Sequence, residues 1–178
     1  VPAEASPLGG HTERGSLVSA DIVTESRSIC TAIVAAIAGL IAITVYLVVE
    51  RAVSEHLPIA LCLRQLLQWD ASNAYGIIAF AGGWKTALIG FGMDFVVSLV
   101  WALVFTALYL GAAGVRRNVV AAGLIFGAVV MVVMLYAVVP IGHAIRMPDT
   151  PAHVLNVLVA HTVFFGLPLA LTVRSAVG

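Results

Sequence analysis

Polar and charged residues gather in short clusters along this chain, and between the clusters lie four stretches that are almost wholly apolar. The first runs Ile29 to Val49 and stops at Glu50 and Arg51. The second runs from about Thr86 to Leu110, behind Trp84 and Lys85, residues that suit a membrane interface. The third, Val119 to Val139, lies between Arg116–Arg117 and Pro140. The fourth, about Val154 to Val173, is closed by Arg174. Each reaches the length of about 20 residues that a helix needs to cross the hydrocarbon core. A backbone in lipid must satisfy its own hydrogen bonds, which selects helices here over strands of period two. The pattern predicts an all-α polytopic membrane protein with four transmembrane helices in a compact bundle. One domain, 29–178, follows a polar N-terminal arm, 1–28.

The connections differ in length. The 111–118 turn is short, so the second and third spans are expected to be antiparallel neighbours. The 50–85 connection is longer, and Pro58, after Ser54 and Glu55, suits the first position of a helix. Ile59, Cys62, Leu63, Leu66, Leu67 and Trp69 then share one helical face, with Arg64, Gln65 and Gln68 on the other. That spacing predicts an amphipathic interfacial helix between helices 1 and 2; a short helix packed over the end of the bundle has the same pattern. Ile77 to Leu110 is too long for one simple span, which leaves room for a folded-back loop at Ile77 to Gly83.

Composition settles the solvent. Of 178 residues 61% are hydrophobic and 10% charged, against about 25% charged in ordinary soluble domains. Nine basic and nine acidic residues balance, and no basic stripe points to nucleic acid. Cys30 and Cys62 sit at opposite ends of the first span, too far apart for an intrachain disulfide. The arm carries acids as well as Arg14 and Arg27, and the span after it exceeds the apolar core of a cleavable signal, so none is expected. Arg14, Arg27, Arg116, Arg117 and Arg174 fall on the side of the termini; Arg51, Arg64, Lys85 and Arg146 fall on the other. This bias favours cytoplasmic termini. Sparse charge and spans rich in Ala, Val and Leu fit a bacterial inner membrane.

Two ionisable side chains, Asp94 and His161, lie inside the apolar stretches. Each is about ten residues from the likewise oriented end of its span, or roughly 15 Å at helical rise, so they share a depth. Intramembrane charge is costly and marks a site by default. The pair suits a proton relay, a cation site or a counter-ion, or a structural clasp between the second and fourth spans. The clasp is the expectation, because few polar residues lead from the pair toward either surface. His143, His153 and Asp149 near the opposite surface match no metal-ligand signature. No metal is expected, and His161 alone is deep enough to serve as an axial ligand for haem or chlorophyll. No nucleophile–base motif, phosphate loop or paired catalytic carboxylates are visible, so an enzyme is not expected. Gly123 and Gly127 form a small-xxx-small pair for close helix packing, as do Ala35 and Gly39. Pro168 removes a backbone bond in the fourth span and leaves the Phe164 carbonyl in need of another donor.

The stretch Gly90-Phe91-Gly92-Met93-Asp94 with Trp101 to Phe105, the run Gly123, Gly127, Tyr136, Val139-Pro140, and Ala160-His161 with Phe165-Gly166 resemble small uncharacterised four-helix bacterial inner-membrane proteins of the YagU-like kind. The resemblance covers roughly Ile29 to Val173 and implies a four-span fold without supplying site residues. Asp94 departs from it, standing where such proteins would carry a histidine. The function expected from the residues is that of a non-catalytic accessory subunit of a respiratory or photosynthetic complex. It would bind other membrane subunits and lipids by helix packing, with the arm and the 55–70 helix as docking elements. The alternatives are a small proton-coupled transporter or channel using Asp94 and His161, and a subunit carrying a pigment or haem.

Overall fold

In the computed structural model, residues 10–145 and 150–177 are described, with side chains from residue 26 onward. Four helical stretches are long and apolar enough to cross a membrane, and they form an all-α bundle. Between 22% and 33% of each stretch's most apolar window is buried, so most of that surface faces outward, as in a bundle solvated by lipid. The chain is a multi-pass membrane protein.

Helix α1, Gly10–Ser54, rises from the side of the termini. It begins inside the stretch expected to be an arm, so much of that stretch extends the first helix; residues 1–9 lie outside the described residues. A turn at 55–58, where His56 adopts φ 54°, leads to α2, Ile59–Tyr75. A 3-10 segment, Gly76–Gly82, connects α2 to α3, Gly83–Gly111. Gly76 and Gly83 frame it with φ of 59° and 60°, a region closed to most other residues. The short α4, Ala113–Arg117, turns the chain; there the Arg116 guanidinium donates to the carbonyls of Tyr109 and Leu110 at 3.1 and 2.6 Å and covers the end of α3.

Helix α5, Val119–Val133, widens into a π-helical turn, Met134–Val138, before α6, Val139–Ile141. The fourth crossing repeats the device: α7, Pro151–Val159, then a π turn, Ala160–Gly166, then α8, Leu167–Val177. Each π turn sits just ahead of a proline, Pro140 or Pro168. A proline ring collides with the carbonyl four residues earlier, here that of Tyr136 or Phe164. Widening the helix at those residues relieves the collision without breaking the span.

The half of the bundle nearest the termini is a dry core. Ala32, Ala35 and Ala36 let α3 and α8 close on α1, and Phe105, Leu169 and Val173 fill the space between. The rings of Trp101 and Phe105 meet Phe126 edge-on, at centroid distances of 5.8 and 5.0 Å, and join α3 to α5. Toward the loop side Tyr46 stacks on Phe164 at 4.2 Å and donates to Asn156 Oδ1 at 2.6 Å, tying α1 to the fourth crossing.

Helix α2 departs from the expected interfacial arrangement. It folds back along α3 so closely that a Cβ on Gly90 would fall on the Leu67 carbonyl oxygen, with Ala71 N at 2.9 Å. Ile59 is exposed, Leu63 and Leu66 are half-buried, and Leu67 is buried. The Trp69 indole donates to the Ile145 carbonyl at 2.9 Å. Gln68, placed on the water face by the sequence pattern, is 2% exposed. Its Nε2 lies 3.0–3.3 Å from the carbonyls of Ala79, Phe80 and Gly83 and from Thr86 Oγ1. An amide nitrogen has two hydrogens, so Gln68 serves two of these acceptors at a time. Thr86 Oγ1 donates to the Ala79 carbonyl as well, at 2.6 Å, so Gln68 and Thr86 together pin the 3-10 segment to α2 and α3. Gln68→Leu should therefore cost about 1–3 kcal/mol of stability and expose the 76–82 segment to protease. Comparing cleavage of the two purified proteins in detergent checks this.

Candidate functional site

Between the loop-side halves of α1, α2, α3, α5 and the fourth crossing lies a cavity of about 880 Å³. Its mouth reaches Ser54, Glu55 and Ala152, which are exposed. Its floor is made by Ser98, Trp101, Val130 and Phe165, and the last two belong to the dry core. The cavity is thus open toward the loops, has the exposed Tyr136 in one wall, and is closed toward the termini by the core.

Asp94 and His161 both line it. Equal depth, inferred by counting along the spans, brings them to one space. Among the described residues, however, no hydrogen bond or ion pair joins them, and the ion pair present is Arg51–Glu55 at 3.2 Å. The expected clasp is therefore not made. His161 instead donates from Nδ1 to the Val157 carbonyl of its own helix at 2.9 Å. That bond fixes the ring and leaves Nε2 as the free nitrogen. Asp94 accepts no hydrogen bond from a described residue, so its carboxylate is left to whatever occupies the cavity.

A third group was not anticipated from the sequence. Asp70 of α2 lines the same cavity and lies within electrostatic reach of Asp94. The signal is there in retrospect: Cys62, Leu66, Trp69, Asp70 and Asn73 follow at helical spacing and all line the cavity. Asn73 donates from Nδ2 to the Asp70 carbonyl at 3.1 Å, while its Oδ1 is buried without a partner. Glu50 and Glu55 complete a set of four carboxylates, against the single guanidinium of Arg51, which Glu55 already holds. His153, His161, Tyr136 and Cys62 are the other titratable linings.

The packing residues singled out in the sequence hold this site in shape. A Cβ on Gly127 would fall on the His161 carbonyl oxygen, and one on Gly123 would lie 2.8 Å from the Gly166 oxygen, so α5 rests directly on the backbone of the second π turn. Gly39 sits under Phe165, whose ring carbon would be 3.0 Å from an added Cβ, and Ala35 is buried beside it in the core. Below the floor two polar side chains are committed locally: Thr106 donates to Ala102 O at 2.8 Å and Thr172 to Pro168 O at 2.8 Å. No polar path continues from the cavity toward the termini among the described residues.

Among the described residues no group of three His, Cys, Asp or Glu side chains is placed to hold a metal ion. Asp149, considered with His143 and His153 as a metal site, lies outside them. The fixed Nδ1 of His161 is the arrangement found in ligating histidines, and it is the one feature that suits an axial ligand for haem or chlorophyll. No family model, curated protein or solved structure matches this chain.

Proposed function

We propose that this chain is a small proton-coupled carrier that admits a positively charged solute from the loop side and exchanges it for protons held at Asp94 and Asp70. The cavity, open toward the loops and closed toward the termini, carries this reading. A structural polar pair needs no cavity, and a channel needs a path through the dry core. A carrier caught open on one side needs both a cavity and a closed half. The chemistry follows from the carboxylates. At this depth an ionised carboxylate is costly unless a proton or a cation neutralises it. The same oxygens cannot hold both, so arrival of one displaces the other. With the termini in the cytoplasm of a bacterial inner membrane, the mouth faces outward, and release requires the core around Phe105 and Leu169 to part.

The test is proton release. Vesicles containing the purified chain and an internal pH dye would be challenged with Na+, K+, methylammonium and tetraphenylphosphonium in turn. At least one should drive a change in internal pH that protein-free vesicles do not show. Identical traces with and without the protein would sink the carrier.

The accessory-subunit reading keeps one observation of its own. Ile37, Ile41, Val45 and Val49 form an exposed apolar ridge on α1, beside a shallow groove floored by Tyr46 and Phe164. A partner helix fits such a groove, with α2 as a second docking element, and the YagU-like resemblance would extend to the four-span fold. Mild-detergent purification as a particle of single-chain mass would count against it.

A further inference from the structure

We infer that the solute taken by this cavity is an organic cation with apolar substituents, rather than a bare metal ion or a neutral molecule; this rests on the carrier reading above. Three observations converge. The first is size: about 880 Å³ is in the range of pockets for drug-sized ligands, and a water occupies roughly 30 Å³. A dehydrated inorganic cation would need its shell rebuilt from oxygens, six or more for Ca²⁺. The described residues supply no such cluster.

The second is charge. Four carboxylates line the space and the one guanidinium among them is spent on Glu55. The carboxylates of Asp70 and Asp94 lie within electrostatic reach of each other and accept no hydrogen bond from a described residue. Asn73 also lines the cavity, but its unpartnered Oδ1 is buried against Gly142 and does not serve the solute. Negative charge thus exceeds positive charge along the wall, which is what a cation requires and a neutral solute does not.

The third is the rest of the wall. Trp69, Trp101, Tyr136 and Phe165 line the cavity among Val, Leu and Met side chains. Aromatic faces attract cations, Trp most strongly, while the aliphatic walls reward apolar substituents. Trp101 is held in place by the ring of Phe126, at 5.8 Å and 80°. A hydrated metal ion would gain nothing from these walls; an ammonium or phosphonium bearing alkyl or aryl groups uses both.

Equilibrium dialysis of the detergent-purified full chain against protein-free micelles tests this. The probes are tetraphenylphosphonium, the neutral triphenylphosphine oxide, and Rb+. Tetraphenylphosphonium should bind saturably, with neither of the others displacing it. Trp101→Leu should weaken it roughly 5- to 30-fold, as expected for loss of a desolvated cation–π contact. The wild-type comparison among probes stands even where that variant does not fold. Equal binding of the phosphine oxide, or displacement by Rb+, would overturn the inference. Should Rb+ or Na+ drive proton release in vesicles while tetraphenylphosphonium fails to bind, the carrier stands and the organic cation falls. Saturable tetraphenylphosphonium binding with no probe driving proton release supports the cation site and sinks the carrier.

Discussion

Asp94→Asn should abolish solute-driven proton release, by at least about 30-fold, the lower bound expected for removing one partner of a buried charged pair. Asparagine keeps the size and polarity of the side chain but holds neither a proton nor a negative charge. The fold should survive, because Asp94 makes no hydrogen bond or ion pair with a described residue that the change would break. Its oxygens serve the cavity, so the loss should appear in exchange and not in the melting temperature. Asp94→Glu keeps a carboxylate on a longer stem and should retain part of the exchange. Asp70→Asn leaves Asp94 in place and should weaken exchange less. The measurement is the rate of internal pH change in vesicles at matched protein content, with thermal unfolding in detergent beside it. Full exchange by a folded Asp94→Asn protein would remove Asp94 from the mechanism.

The four crossings were legible because length and apolarity act locally: a run of about 20 apolar residues has no cheaper solvent than lipid. Observed helices overshoot the expected spans by a few residues at most ends, as α3 does from Gly83 to Gly111. Polar residues near the ends continue a helix as well as apolar ones, so the apolar count alone places the limits inside the helix. Helix α2 shows where the pattern stops being informative. Gln68 reads as solvated on an amphipathic face, yet it is buried, with its Nε2 against carbonyls of the Gly76–Gly82 segment and of Gly83. A helical wheel separates polar from apolar positions; it does not say whether the polar side meets water or another segment's backbone.

The site was half legible for a similar reason. Counting along the spans gave Asp94 and His161 the same depth, and both reach the cavity. Rotation about the helix axes is set by tertiary packing, notably Gly90 against Leu67 and Gly127 against His161, and no count along one helix reveals it. Asp70 escaped notice because an aspartate beside a tryptophan, in a segment read as interfacial, looks like surface. Only the fold-back of α2 turns it inward. The π turns carry a visible cause in Pro140 and Pro168, but a proline in a span equally permits a kink, and packing decides between them.

Gly127→Val should leave no folded, monodisperse protein, and Gly127→Ala should be destabilised by about 1–3 kcal/mol, the cost of overpacking a close crossing. The obstacle is backbone: an added Cβ would fall on the His161 carbonyl oxygen, with His161 C and Thr162 Cα each at 2.8 Å. A side chain in the way can rotate; a carbonyl in a π turn moves only if the helix moves. Gly123 and Gly166 tighten the same crossing, since a Cβ on Gly166 would lie 2.9 Å from Gly127 Cα. Relief would separate α5 from the fourth crossing and shift His161 and Phe165, a wall and the floor of the cavity. Gly92→Ala is the matched control in the same chain. It is helical with nothing within 4 Å of the added Cβ, so it should gain up to about 1 kcal/mol from the lower entropy of the unfolded chain. Opposite shifts in thermal unfolding for these two glycine-to-alanine changes would mark the crossing as a backbone contact. Equal shifts would mean that α5 does not rest on the π turn.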